Sequence, residues 1–260
     1  MLRRLSLSLL LAVAPLAAHE TPTIKAVVSA AGVVTDVARG GIATVWGLDF
    51  AFEPRGANAL PLPIKLGETS VKINGVDCPL FYVSEFQINL QIPFETPPNI
   101  EVELLVEHEG LVSEPFKLTV RTDAISIFTY ERVPESGVFE PVVLHSDGIT
   151  LVTPANPAKP NEVLVIYATG FGPLLNGPMT GQPAPAPPLD WLTDAKPAAI
   201  YSTNLGGFNL TVHYSGLAAG YVGLWQLNIQ MPPSVPAGDN GALRITLADS
   251  FQSIQFPFAP

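Results

Sequence analysis

The chain spells nearly the same seven residues twice: Gln87-Ile88-Asn89-Leu90-Gln91-Ile92-Pro93 and Gln226-Leu227-Asn228-Ile229-Gln230-Met231-Pro232. In both copies amide and aliphatic side chains alternate, and a proline ends the run. Successive side chains of a β-strand point to opposite faces, so each copy reads as a strand with one apolar and one hydrogen-bonding face. The repetition divides the chain into two related β units. It names neither a ligand nor a reaction.

The rest of the sequence supports an all-β reading. Twenty-seven prolines and 21 glycines are scattered between short apolar runs, the pattern of many short strands joined by turns. In the first unit strands are expected at 24–28, 42–47, 71–75, 80–83, 87–92, 101–108 and 116–121, with Asn74-Gly75 as a hairpin turn. In the second they are expected at 142–145, 149–152, 163–168, 208–214, 223–231, 243–247 and 252–258. The strand at 163–168 runs into Thr169-Gly170-Phe171-Gly172-Pro173, which parallels Trp46-Gly47-Leu48-Asp49-Phe50. The predicted fold is therefore two tandem Ig-like β-sandwich domains, 19–122 and 123–260, packed as one rigid unit.

The second unit is longer between its aromatic residue and its amide strand by about 18 residues, a loop-scale insertion. It lies near 174–205 and contains Gln182-Pro183-Ala184-Pro185-Ala186-Pro187-Pro188. Prolines cannot donate to a ladder, so this segment is expected as an extended surface loop, either a solvated spacer or a partner-docking segment.

The first 18 residues read as a secretory signal peptide. Arg3 and Arg4 precede an apolar run from Leu5 to Val13, and Ala17-Ala18 offers a cleavage site before His19. After removal no apolar run approaches the ~20 residues of a membrane-spanning helix. A secreted location, periplasmic or extracellular, follows as the expectation. The net charge of −10 and the absence of a basic cluster exclude nucleic acid as an expected partner. The lone Cys78 cannot form an internal disulfide. It is expected as a small buried hydrophobe, with an intermolecular bridge or a reactive thiol as the alternative.

Several ordered strings carry a family resemblance. They are Leu60-Pro61-Leu62-Pro63, Val71-Lys72-Ile73-Asn74-Gly75-Val76, Pro79-Leu80-Phe81-Tyr82-Val83-Ser84 with the first amide strand, Ala155-Asn156-Pro157-Ala158, Ile166-Tyr167-Ala168-Thr169-Gly170-Phe171-Gly172-Pro173, and Gly220-Tyr221-Val222-Gly223-Leu224-Trp225 with the second. The chain resembles an uncharacterised domain family repeated in acidobacterial genomes at the C-termini of secreted proteins, with units similar to IPT/TIG-type Ig-like domains. Pro160-Asn161 and Ala218-Ala219-Gly220 depart from the family pattern at turns. The resemblance implies a β-sandwich fold and a secreted bacterial protein. It brings no catalytic residues.

No catalytic, cofactor or metal motif stands out. There is no Gly-x-Ser-x-Gly elbow, and Gly170-Phe171-Gly172 lacks the rest of a phosphate loop. His19, His108, His145 and His213 do not have metal-ligand spacing. Glu101, Glu103, Glu107 and Glu109 read as an outward charged row guarding a sheet edge, with weak divalent-cation binding as the alternative.

The amide rows remain. Gln87, Asn89 and Gln91, and Gln226, Asn228 and Gln230, project from one face of their strands. They can hydrogen-bond adjoining loops or the neighbouring domain. Alternatively they contact sugar hydroxyls beside an aromatic such as Trp225 or Tyr82, since amides supply paired hydrogen bonds and rings a stacking face. Trp46, Tyr167 and Phe171 are expected as packing residues. The function expected from sequence is a non-catalytic structural or interaction module of the cell envelope or extracellular space, with an unknown protein or polysaccharide partner. The alternative is a carbohydrate-binding module.

Overall fold

The computed structural model describes residues 20–32, 34–172, 174, 177–185, 202–205, 208–234, 242–247 and 250–258. The expected signal peptide lies outside them, as does the Pro-rich run beyond Pro185. The described residues form strands, bridges and turns without a helix. None of them forms a helix long and apolar enough to cross a membrane.

The first half is two antiparallel-dominated sheets closing on one core. One sheet runs in the order Thr23–Ser29, Ile42–Leu48, Gln87–Gln91, Leu80–Val83, Arg55–Gly56. The other runs Val37–Ala38, Phe116–Arg121, Glu101–His108, Thr69–Ile73, Lys65–Leu66, flanked by Leu111–Val112 and Val76–Asp77. Burial alternates along Thr69–Ile73 and along most of Glu101–His108, the period-two signature of a half-buried strand. Val45, Ile88 and Leu90 from the first sheet thereby meet Val71, Leu104 and Val106 from the second in one apolar cluster. Asn74 and Gly75 both have positive φ, 49° and 80°. They form the two-residue turn whose twist matches a hairpin, and Ile73 pairs with Val76 across it.

The second half has its own core. Ser126–Ile127, Val163–Thr169, Trp225–Gln230 and Thr211–Leu217 form one sheet, joined at Val163–Thr169 by Val143–Leu144. A four-stranded sheet of Phe208–Asn209, Ser202–Leu205, Ala242–Thr246 and Phe251–Gln255 completes it. Leu164, Ile166, Leu227 and Ile229 pack with Leu243, Ile245 and Ile254. Thr129–Glu131 and Phe139–Pro141 form a separate two-stranded ladder that lies against Phe251–Gln255.

Four expectations are corrected. Glu101–His108 is a central strand, hydrogen-bonded on both sides, so its carboxylates do not guard an edge. They face solvent, and Glu101 pairs across the ladder with Lys117 at 2.9 Å. Residues 149–152 form no strand; Leu151 makes a single bridge to Leu144, because Asp147 draws the chain into a tight polar turn instead. The Pro-rich segment is not purely a surface loop. Ala184 is buried, donates to Tyr221 O and accepts from Gly220 N. Prolines at 183 and 185 leave the N–H between them intact, so alternation permits this one attachment. Finally, Trp46 faces outward and is 44 % exposed. The core place beside it is taken by Phe50, whose ring lies against Gly47 so closely that a Cβ there would sit 2.3 Å from it.

Candidate functional site

Cross-strand register gathers the first amide row with residues distant in sequence. Trp46 lies directly opposite Gln87, Thr44 opposite Asn89 and Ile42 opposite Gln91. On the other side Tyr82 lies opposite Asn89. Directly opposed residues share a face, so Trp46, Gln87, Asn89 and Tyr82 stand together on the outside of the sheet. Gln87 Nε2 donates to Asn89 Oδ1 at 2.9 Å, and Thr44 Oγ1 donates to the same oxygen at 3.0 Å. These bonds tie the Gln87 and Asn89 amides and the Thr44 hydroxyl together on the face that carries the indole.

The second amide row repeats the arrangement. Tyr167 lies opposite Gln226 and Val165 opposite Asn228, while Tyr214 lies opposite Asn228 from the other side. Gln226 Nε2 donates to Asn228 Oδ1 at 2.9 Å. The register slips between Leu80 and Tyr82 in one copy and between Val212 and Tyr214 in the other. A bulge inserts one residue and turns the next side chain. In both halves it delivers a tyrosine to the amide face.

The copies differ in what remains available. Tyr214 Oη donates to Leu217 O at 2.7 Å, and burial pushes its phenol up to about 12. Gln230 Oε1 meets His213 Nε2 at 3.1 Å. Trp225, offered from sequence as a stacking platform, is 2 % exposed. It points inward, stacks on Phe171 with ring centroids 4.8 Å apart, and donates from Nε1 to Ser215 Oγ at 3.1 Å. Trp225 therefore offers solvent no stacking surface. Trp46, read from sequence as packing, does. Its signal was present in the strand itself: Thr44 and Trp46 alternate with Ala43 and Val45, both fully buried.

The far end of the first row is used differently. Gln91 is 1 % exposed. Its Oε1 accepts from Gly181 N at 2.7 Å and its Nε2 donates to Gly40 O at 3.2 Å. Thr169 of the second half accepts from Ile42 N at 2.8 Å and donates to Gly223 O at 3.0 Å. Gly223 has φ 65°, and a Cβ there would lie 3.0 Å from Gly40 O, so the halves meet backbone to backbone. Leu62 N donates to Gly181 O at 2.9 Å. Thr180 Oγ1 accepts from Phe94 N at 3.0 Å and donates to Glu95 Oε2 at 2.7 Å. The start of the insertion is thus part of the seam between halves.

Two histidines make side-chain hydrogen bonds that could in principle support chemistry. His145 Nδ1 meets Glu162 Oε1 at 2.7 Å while Nε2 faces Asn156 O at 3.2 Å, so both ring nitrogens are engaged in tying loops together. Thr69 Oγ1 lies 3.0 Å from His108 Nδ1, but Thr69 is fully buried and donates to Phe50 O at 2.5 Å. Neither pair presents a nucleophile to solvent. No group of three or more His, Cys, Asp or Glu that could hold a metal ion occurs among the described residues. Cys78 is fully buried, and burial raises its thiol well above the ordinary range.

The fold and this face define an all-β protein with a duplicated aromatic–amide constellation. No protein-family model and no curated protein matches the sequence.

Proposed function

We propose that the chain is a secreted, non-catalytic interaction module of two tandem Ig-like sandwiches, of the kind found at the C-termini of acidobacterial secreted proteins. The observation that supports this reading is the division of the first amide row. One end, Gln91, is spent on the seam between the halves. The other end stays open beside an exposed Trp46. A rigid body that keeps a neutral, partly aromatic face toward solvent is suited to recognition rather than turnover. The signal-like start at Arg3 and Arg4 and the negative net charge agree with export and with a partner other than nucleic acid.

The test has two parts. Mass spectrometry of exported protein should find a mature chain beginning at His19; retention of residues 1–18 would overturn the export reading. The purified mature chain should bind a cell-envelope fraction saturably and without releasing soluble products. Absence of saturable binding would remove the interaction module, and steady product release would make the chain an enzyme.

A further inference from the structure

We infer that the Trp46 face of the first half binds a neutral polysaccharide, an assignment that rests on the interaction-module reading and names its ligand class. The ligand lies diagonally from Trp46, across Gln87 and Asn89, to Tyr82.

Four observations carry this. The first is the ring. Trp46 is 44 % exposed on an interior strand of its sheet, paired on both sides. An indole presents a flat apolar face, which suits the C–H side of a sugar ring.

The second is the hydrogen-bonding inventory. The Gln87–Asn89 bond and the Thr44 bond both end on Asn89 Oδ1. Among the described residues Gln87 Oε1, Asn89 Nδ2 and Tyr82 Oη have no protein partner within hydrogen-bonding distance. An acceptor, a donor and a hydroxyl are therefore presented in fixed positions. Vicinal sugar hydroxyls, which both donate and accept, satisfy such a set together.

The third is charge. The chain carries −10 overall, yet the outward strand positions around Trp46 hold alanine, valine, threonine, leucine and amides. Within the strands Thr23–Ser29, Ile42–Leu48 and Gln87–Gln91 the one charged residue is Lys25, at the bulge between Ile24 and Ala26. A neutral ligand meets this face without desolvating an ion. A second copy of the chain would bring another net −10 toward it.

The fourth is the contrast between copies. The second constellation keeps the Gln–Asn bond but has Tyr167 in place of tryptophan and its tyrosine hydroxyl engaged by Leu217 O. The same scaffold is thus closed in one half and open in the other. Strand spacing and rise put Trp46 and Tyr82 about 12 Å apart along the diagonal. That span fits several linked sugars rather than one.

The experiment is affinity electrophoresis of the full mature chain in gels containing neutral polysaccharides (β-glucan, galactomannan, arabinoxylan, starch) or anionic ones (alginate, heparin), with reducing ends assayed in parallel. Retardation by at least one neutral polysaccharide is expected. Trp46→Ala should weaken it by about tenfold or more, Gln87→Ala should weaken it less, and Tyr167→Phe should leave it unchanged. All three variants must keep the wild-type far-UV spectrum. No retardation in any neutral gel, or retardation that survives Trp46→Ala, overturns the site. Retardation only by anionic polysaccharides overturns the ligand class. Concentration-dependent self-association abolished by Trp46→Ala, without polysaccharide binding, makes a second copy the occupant. Release of reducing ends would instead overturn the non-catalytic reading, so the two failures are separable.

Discussion

Trp46 and Trp225 show how far one residue's role depends on which side of a strand it occupies. Trp225 fills a core place on Phe171 with its N–H satisfied by Ser215. Trp225→Ala should cost about 3–5 kcal/mol in chemical denaturation, the loss of a buried aromatic plus the cavity it leaves. Trp46→Ala should stay within about 0.5 kcal/mol, as a surface change. Equal costs for the two would contradict their opposite placement. Cys78 follows from burial in the same way. Iodoacetamide should leave it unmodified in the folded chain and alkylate it in denaturant, because the thiolate is disfavoured and the sulfur enclosed. Asp147 supplies the pH-sensitive turn. Its carboxylate accepts from Thr150 Oγ1 and from the amides of Thr150 and Ile149, which hold it down at about 2 against an ordinary 3.8. A lowered pKa stabilises the fold above the unfolded value and loses that contribution as pH falls through the folded one. Amide resonances of Ile149 and Thr150 should therefore shift between pH 4 and 2, and Asp147→Asn should abolish the shift.

Strands were legible wherever local pattern and turn chemistry agreed. The amide copies, the Asn74-Gly75 hairpin and the alternating Glu101–His108 segment were all readable from spacing alone. What spacing could not supply was position within the sheet. A row of glutamates looks the same on an edge as on a central strand, and only pairing partners distinguish them. Two-residue strands such as Val37–Ala38, which runs parallel to Val120–Arg121, have too few residues for any period. The candidate face was half legible: the amides declared themselves, but the aromatics beside them come from strands about 40 residues away in one case and next door in the other. Gln91 shows the cost of identical letters in unlike surroundings. Gln91→Ala would leave the Gly181 N–H and the Gly40 carbonyl without their side-chain partner in a buried site, at about 1–3 kcal/mol per orphaned group. Gln230→Ala, at the matching place in the second copy, should cost under about 0.5 kcal/mol. Paired urea melts of the two variants measure the difference.

At the scale of the whole molecule, two cores are joined by a seam that contains buried hydrogen bonds. Buried hydrogen bonds across it, from Gln91 to Gly181 and from Ile42 to Thr169, couple structures that each have their own apolar cluster. Calorimetry should show one cooperative transition in the wild-type chain, with calorimetric and van't Hoff enthalpies in agreement. A combined Gln91→Ala and Thr169→Val variant should resolve into two. Two transitions in the wild type would mean that the seam does not couple the halves. The seam also has a polarity. The first half contributes the beginning of its Ile42–Leu48 strand, whereas the second contributes the end of the corresponding Val163–Thr169 strand. Like copies are therefore joined head to tail, through unlike ends, and no two-fold axis relates them. Such a joint leaves one head and one tail unused: Leu48 and Trp46 at one extremity, Gln230 and Val163 at the other. The molecule has a direction, like a link in a chain, and whatever is tethered near Gln230 is held at the opposite end from the indole.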